Sequence, residues 1–418
     1  YTIIAFFNTM YNHGMDSALL KFYKSDNSKT IITTSISYSF IYGCLLSILL
    51  YFFNQPLQYF SDVMMYTTNQ VALFILIILF CDMLSSRLMT IIRLLEKPFY
   101  FLAVSFINVA VSICLNIYLI KVLNMGLSGV LLSLAGVAIV QLVILLPLIL
   151  FNINFKLFDY SLLKKMVIFS IPFLPASIFF IMIEMADRLM LGWLSSIENV
   201  GLYGAGYKIG AIVLLIVRAF NLNWQPFYLK DQHINRTNQF SNIGTQFIVS
   251  LIFISTIVSM LWETLFQINI NDVFLIGKTF WDGGSIIPII CFSYVIYGVF
   301  ILQMPSIYLK NKQNWVPYFW GLGFAVNVLS NYILIPMYGF YGAAIATLLS
   351  YSSMTLFLIY KNQHWLPIKY KLKDIMYMLA ISLVALYLYN ETIIGLSITL
   401  AMYFVLGMIK IINMKKSV

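Results

Sequence analysis

Apolar and polar positions alternate along this chain in long blocks. About thirteen apolar stretches, each close to the roughly twenty residues that carry a helix across a bilayer core, are separated by short polar gaps. They run over about 1–20, 31–53, 70–92, 99–120, 127–151, 166–193, 200–228, 243–265, 285–309, 316–335, 340–360, 374–389 and 393–412. Each is predicted to be a membrane-spanning helix. The longest gaps, 152–165 and 266–284, are too short for a soluble domain. The 418 residues are 61% hydrophobic, 17% aromatic and 10% charged, where a soluble protein carries about 25% charged residues. The apolar surplus has to face lipid.

Cations crowd every second gap. Lys21, Lys24 and Lys29 fall in one; Arg93 and Lys97 in the next such gap; then Lys156, Lys164 and Lys165; Lys230 and Arg236; Lys310 and Lys312; Lys361, Lys369, Lys371 and Lys373; and Lys410, Lys415 and Lys416. The alternate gaps hold only Lys121 and Lys278. Loops rich in Lys and Arg stay cytoplasmic, so the pattern predicts a multi-pass protein with its C-terminus inside. The net charge of +10 is therefore topology. A nucleic-acid binder would gather its cations on one face. With a cytoplasmic tail, thirteen spans start the chain outside. Because the first residue is Tyr1, one N-terminal helix of a fourteen-span protein is expected to be missing from this chain.

A weak internal repeat orders the spans. Glu96-Lys97, Asn116-Ile-Tyr-Leu-Ile and Gly126-Leu-Ser-Gly129 return, about 215 residues later, as Asn311-Lys312, Asn331-Tyr-Ile-Leu-Ile and Gly339-Phe-Tyr-Gly342. Phe22-Tyr23-Lys24 and Phe227-Tyr228-Leu-Lys230 echo each other in the same way. An offset of six spans preserves direction. The expected architecture is an all-α membrane protein of two parallel, pseudo-symmetric six-helix bundles plus two C-terminal helices: 1–151, a cytoplasmic linker 152–165, 166–365, and 366–418. Two such bundles enclose a cavity that rocking exposes to each side in turn. No short filter-like segment recurs, which argues against a passive pore.

Four cations fall inside spans: Arg87, Arg188, Lys208 and Arg218. A charge at the bilayer centre costs roughly 2.5–3.5 kcal/mol on insertion scales, so it faces water or a partner. Lys208 lies about eight residues inside its span, roughly 12 Å deep. Arg218 lies about 2.8 turns further on. With Tyr203, Tyr207, Asn221 and Gln225 they are expected to form a basic stripe on a cavity wall, and Lys208, Arg218 and Tyr207 are the candidate substrate contacts. Glu184, Asp187 and Arg188 end the preceding span; Glu184 and Arg188, at i and i+4, can pair. Together with Asp82 and Arg87 they are the candidates for ion pairing or coupling. Arg87 is expected to snorkel to the interface, and Asp16 and Lys21 to anchor the inner end of the first span. The cargo for a cationic cavity is an anion, and a lipid-linked phosphate or pyrophosphate fits, with its tail left in lipid.

Other signals carry no chemistry. Gly277-Lys278-Thr279 resembles the tail of a phosphate loop, but Asp272 stands where the first glycine belongs. Cys44, Cys81, Cys114 and Cys291 lack paired spacing, and His13, His233 and His364 lack metal-ligand spacing. Pro172, Pro175, Pro226 and Pro305 are kink candidates. Nothing points to an enzyme, a cofactor or nucleic acid.

Several runs are similar to those of a known family. Gly14-Met-Asp-Ser-Ala-Leu-Leu-Lys-Phe-Tyr23 resembles the end of the second helix of polysaccharide-export flippases of the multidrug/oligosaccharidyl-lipid/polysaccharide (MOP) superfamily. Ile171-Pro-Phe-Leu-Pro175, Asp187-Arg-Leu-Met-Leu191, Val200-Gly-Leu-Tyr-Gly-Ala-Gly-Tyr-Lys208-Ile and Gln225-Pro-Phe227 resemble its seventh and eighth helices. The resemblance implies a MATE-like fold in a bacterial inner membrane. It implies carriage of undecaprenyl-pyrophosphate-linked O-antigen or capsule repeat units to the periplasmic side, and work alongside polymerase and chain-length proteins. A basic residue in the eighth helix would line the cavity, and Lys208 holds that position. Coupling would be to a H+ or Na+ gradient. The alternatives are a cation-coupled multidrug exporter of the same superfamily, which expects a buried carboxylate in the N-terminal half, where Asp82 is the clear one, and a membrane polysaccharide polymerase, which expects a large charged outer loop. The segment 266–284 carries only Lys278, Asp272 and Asp282.

Overall fold

In lipid a backbone N–H has no water to bond, so apolar segments close their hydrogen bonds internally as helices. The computed structural model describes residues 2–24, 27–52, 67–230, 237–270, 273–274, 276–389 and 393–416; His233, Arg236 and Asp272 lie outside them. The helices are α1 (Thr2–Asn12), α2 (Met15–Phe22), α3 (Ser28–Phe52), α4 (Thr68–Leu94), α5 (Pro98–Asn116, continued by a π-helical stretch Ile117–Val122), α6 (Gly126–Asn152), α7 (Tyr160–Ser170), α8 (Phe173–Leu194), α9 (Ile197–Gly210), α10 (Ile212–Lys230), α11 (Thr237–Phe266), α12 (Ile287–Gln303), α13 (Pro305–Leu309), α14 (Val316–Tyr338), α15 (Phe340–Trp365), α16 (Leu372–Tyr389) and α17 (Ile393–Lys416). A 3₁₀ segment, Lys278–Ile286, precedes α12, and a minimal hairpin pairs Asn269–Ile270 with Val273–Phe274.

Among the described residues each predicted stretch is mostly helical. Among the described residues nine helical segments are long and apolar enough to cross a membrane, or ten if α9 and α10 count as one bent span. The first stretch is not a single span. It breaks between α1 and α2 at His13 (φ 31°) and Gly14 (φ 74°). Gly14 is required there twice over: its backbone is left-handed, and a Cβ would sit 2.5 Å from Phe173 Cβ and 2.7 Å from the Ser170 carbonyl oxygen. The stretch 200–228 is also divided, with α9 and α10 bent by 42°. The stretch 166–193 breaks between α7 and α8, where Pro172 lies in the intervening turn.

The chain forms two compact units, Tyr1–Ile178 and Phe179–Val418. In the first, α4 supplies much of the core: Val71, Ile78, Leu79 and Met83 pack with Tyr11, Leu131 and Ala135. Of α5 only Val104 is buried; Phe99, Leu102 and Phe106 point outward, as lipid-facing side chains do. The segment 152–165 is tied to α3, because the Thr33 hydroxyl accepts from Asn154 N at 3.1 Å and the Thr34 hydroxyl accepts from Asp159 N at 3.1 Å. The division between units falls later, inside α8.

Arg87 does not snorkel. It is fully buried, with Nη1 2.5 Å from Asp16 Oδ1, and it donates through Nη2 to the Asn12 carbonyl oxygen at 2.8 Å and through Nε to Ser39 Oγ at 3.3 Å. Asp16 also accepts from Ser86 at 2.6 Å and Thr90 at 3.3 Å. The break at His13–Gly14 explains this: a helix end exposes carbonyls without partners, and a guanidinium with five donors can satisfy one while pairing the acid of the next turn. Asp16 is therefore a partner for a buried charge as well as an end residue. Asp82, half-buried, forms no ion pair with Arg87.

The repeat is visible in the backbone. At the end of α4, Leu95 N donates to Ile91 O (2.8 Å) and Lys97 N to Ile92 O (3.2 Å) around Glu96 at φ 55°. At the end of α13, Lys310 N donates to Ser306 O (3.0 Å) and Lys312 N to Ile307 O (2.8 Å) around Asn311 at φ 52°. These are the same helix-ending motif. Gly126 and Gly339, both at φ 54°, open the helices that follow the next span in each copy.

In the second unit α9 presents Gly206 to Gly283 of the 3₁₀ segment, where a Cβ would overlap the Gly283 carbonyl oxygen, and Gly210 to Ile290 of α12 at 2.6 Å. Gly204, on the same helix, would meet nothing within 4 Å. Gly206→Ala is therefore expected to force the backbones apart and lower stability by about 1–3 kcal/mol. Gly204→Ala should leave it unchanged or raise it by up to about 1 kcal/mol through helix propensity. Thermal unfolding of both variants in detergent checks the contrast, and equal behaviour would contradict the close approach.

Candidate functional site

Glu184, Asp187 and Arg188 lie on α8, and the 3.6-residue period turns both acids toward one side. Asp187 is 2% exposed and fully engaged. Its Oδ1 accepts from Asn327 Nδ2 at 2.9 Å and Asn331 Nδ2 at 2.8 Å, and its Oδ2 from the Tyr203 hydroxyl at 2.6 Å and Thr347 Oγ1 at 2.5 Å. The donors come from α9, α14 and α15. Asn327 and Asn331 are one helical turn apart, so both amides reach the same oxygen, and Asn331 Nδ2 also donates to Asn327 Oδ1 at 3.1 Å.

Around this carboxylate the oxygens outnumber the protons. The Thr347 hydroxyl lies within hydrogen-bond distance of both Asp187 Oδ2 and the Ala343 carbonyl oxygen, 3.2 Å away, yet it has one proton to give. Asn331 Oδ1 is buried with no hydrogen-bond partner among the described residues. Both amides turn Nδ2 to the carboxylate; turned over, their oxygens with the carboxylate, the hydroxyl and the backbone carbonyl would make an all-oxygen set, which suits a hard cation rather than a transition metal. Rotating the Asn331 amide by half a turn would bring its orphan oxygen to the carboxylate side. No cluster of three or more His, Cys, Asp or Glu side chains occurs among the described residues.

One turn earlier on α8, Glu184 accepts from the hydroxyls of Tyr207, Tyr351 (2.7 Å) and Tyr294 (3.3 Å), and the Tyr207 and Tyr294 hydroxyls touch each other. The expected Glu184–Arg188 pair is not formed. Arg188 instead lies over the Tyr207 ring, 4.7 Å from its centroid, because three phenols already occupy the carboxylate.

Tyr207 is likewise not on an exposed wall. It is 7% exposed and turned into the unit. Lys208 follows it by one residue, about 100° round the helix, and is exposed. A buried phenol needs a partner for its hydroxyl, which Glu184 supplies. Lys208 stands in the last turn of α9, where the partial negative charge of a helix C-terminus favours a cation. Arg218, also exposed, lies on α10 with its guanidinium 5.5 Å from the centroid of the Phe180 ring. The bend between α9 and α10 means that the two cations do not share one straight helix. Neither forms an ion pair with a described carboxylate.

Sequence reasoning named Glu184, Asp187 and Arg188 but missed what surrounds them. Asn331 entered only as part of the repeat, and Asn327, Thr347, Tyr294 and Tyr351 not at all. A usable signal existed: Asn327 and Asn331 are i,i+4 amides in an apolar span, and a polar pair on one helix face inside lipid needs an acceptor.

The sequence profile of the family described as polysaccharide biosynthesis protein matches residues 1–227. Comparison with curated protein sequences gives no match. Among solved structures, the fold is similar to a mutant of the Vibrio cholerae MATE transporter VcmN (TM-score 0.71, 14% identity, 86% of this chain and 85% of that one). It is also similar to a MOP superfamily transporter from Pyrococcus furiosus (0.64, 12%, 87% and 84%) and to the lipid II flippase MurJ in an inward closed conformation (0.57, 16%, 99% and 91%). The chain thus shares the fold of these transporters, and it belongs to the polysaccharide biosynthesis protein family.

Proposed function

We propose that the protein is a flippase that moves undecaprenyl-pyrophosphate-linked oligosaccharide repeat units, of O-antigen or capsule, across a bacterial inner membrane by alternating access, with its Lys- and Arg-rich gaps and its C-terminus on the cytoplasmic side. The observation that carries this reading is the pair of exposed cations in the second unit. Lys208 and Arg218 sit in apolar helices without a carboxylate partner among the described residues. Inside a membrane such charges need water or an anion, and a pyrophosphate supplies the anion. The family match supports a saccharide cargo.

A lipid tail has a berth in this reading. A groove of about 300 Å³ runs between α16 and α17, walled by Val384, Ala385, Leu388, Met402 and Leu406. At one end Lys410 lies 5.1 Å from the centroid of the Tyr377 ring and pairs with Asp374. An isoprenoid chain suits those walls. Polymerase and chain-length proteins would then act on the product.

Energy enters through the α8 acids. In this reading the Asp187 cage takes a Na+ or a proton. Glu184, with its three phenols, is the second acid on the same helix turn. Loading Asp187 changes the charge that holds α9, α14 and α15 to α8, so occupancy and packing are linked.

Lys208→Ala is expected to lower translocation of pyrophosphate-linked oligosaccharide in proteoliposomes at least tenfold, about 1.4 kcal/mol, at normal protein abundance. Lys208→Glu should be worse, because it repels the same anion. Normal export by Lys208→Ala would defeat the site assignment, and equal effects of both variants would point to packing. For the coupling acid, Na+ is expected to raise the unfolding temperature of the wild type by binding the folded state, and Asp187→Asn should abolish that rise while the protein still folds. Asp187→Ala, which strands four donors, should also cost roughly 1–3 kcal/mol of stability. If Na+ has no effect but unfolding shifts with pH in the wild type alone, the coupling ion is the proton.

A further inference from the structure

A second cavity lies in the Phe179–Val418 unit, apart from the α8 acids. It has a volume of about 500 Å³, within the range of small-molecule sites. It is built where the end of α11, the 3₁₀ segment and the start of α15 meet, at the helix ends that the cation pattern puts on the outer side. Six of its lining side chains matter here: Trp262, Trp281, Tyr341, Glu263, Asp282 and Gln267.

Its aromatic walls are set in place. Trp262 lies against Gly284 so closely that any Cβ there would run into the indole. It also meets Phe266 edge-on at 5.5 Å. Trp281 donates its indole N–H to the Ile276 carbonyl oxygen at 3.0 Å and meets Phe274 edge-on at 5.4 Å. Trp281 is therefore anchored by residues outside the cavity, and Trp262 by Gly284 behind it and Phe266 beside it in the lining. The polar groups are in the opposite condition. Glu263 and Asp282 form no ion pair among the described residues, although Lys278 is only four residues from Asp282. The Lys278 ammonium is instead directed over the Phe274 ring, 4.9 Å from its centroid.

Fixed aromatic faces beside free carboxylates and an amide have a specific chemistry. The C–H face of a pyranose packs on an indole, and its hydroxyls donate to carboxylates, which accept only. Two carboxylates lining the same cavity, one from α11 and one from the 3₁₀ segment, also repel a phosphate. The site thus selects the sugar and rejects the pyrophosphate, the reverse of Lys208 and Arg218. We propose that this cavity is a saccharide-binding site on the outer side, taking a short oligosaccharide that is neutral or carries an amino group. Its location rests on the orientation proposed above. Its chemistry does not depend on the flippase mechanism.

The test uses the full chain in nanodiscs, with binding followed by calorimetry and tryptophan fluorescence. The probes are maltotriose, tri-N-acetylchitotriose and glucosamine, with inorganic pyrophosphate and Ca²⁺ as counter-probes. At least one saccharide is expected to bind saturably and to quench or shift tryptophan emission. Trp281→Ala should weaken it at least tenfold. The exposed Asp282→Asn, which disturbs no hydrogen bond that packs the unit, should weaken it at least threefold, which keeps the test decisive if Trp281→Ala does not fold. Lys208→Ala should leave saccharide binding unchanged, even where it stops translocation, so the two proposals fail separately. Binding of none of the three saccharides overturns the site. So does binding that is indifferent to both cavity variants, binding lost in Lys208→Ala, or occupation by Ca²⁺ alone with Asp282 dependence, which would make it a cation site.

Discussion

A carboxylate buried among membrane helices must collect its donors from neighbouring helices, because lipid offers none. Asp187 does so from three of them. Two amides of α14, a phenol of α9 and a hydroxyl of α15 close on its two oxygens. Hydrogen bonds to a charged acceptor are worth about 1.5–3 kcal/mol each when the alternative is leaving it bare. The group therefore acts as a fastening for four helices. The unpartnered Asn331 oxygen and the over-subscribed Thr347 hydroxyl show that the arrangement has acceptor capacity to spare.

Interrupted helices follow the same constraint. Where α1 gives way to α2, the freed Asn12 carbonyl and the Asp16 acid are both met by Arg87. Arg87 is fully buried and Asp16 is 29% exposed, so removing Asp16 would leave a buried charge without its counter-ion at a cost below the roughly 3–5 kcal/mol of a fully buried pair. The break at Gly14 packs directly on the residues that bound the turn containing Pro172. Two interruptions in sequence-distant helices thus support one another. At the bend between α9 and α10 there is no such ion pair among the described residues; the Cys291 thiol approaches the Gly210 carbonyl oxygen at 3.9 Å, and Lys208 occupies the last turn before the bend.

The two copies of the internal repeat share their scaffolding but not their polar interior. The helix-ending hydrogen bonds and left-handed residues correspond closely. Yet Asn116, the counterpart of Asn331, only donates back to Ser112 on its own helix, at 2.8 Å to the carbonyl oxygen. The second copy alone, among the described residues, gathers such amides around an acid. The repeat shares its helix ends, and a few interior side chains set the two copies apart.

Much of the frame was legible in the chain. Hydropathy marked thirteen helical stretches, the recurrence of Glu96-Lys97 as Asn311-Lys312 marked a repeated helix end, and charges out of pattern marked Glu184, Asp187, Arg188, Lys208 and Arg218. These properties are local: they depend on the side chains within a few turns and on whether lipid can accept them. Which partner each charge meets is not local. Asp187 meets Asn327, Asn331 and Thr347 across 140, 144 and 160 residues, and no spacing rule reaches that far. The i,i+4 rule offered Arg188 to Glu184, and three phenols took its place. Straight-helix geometry put Tyr207 and Arg218 on one wall, until glycine-lined packing turned Tyr207 inward and a 42° bend separated α9 from α10. Sequence determined where charge is held within the membrane; only the packing of distant helices decided whether that charge is neutralised, caged or left open.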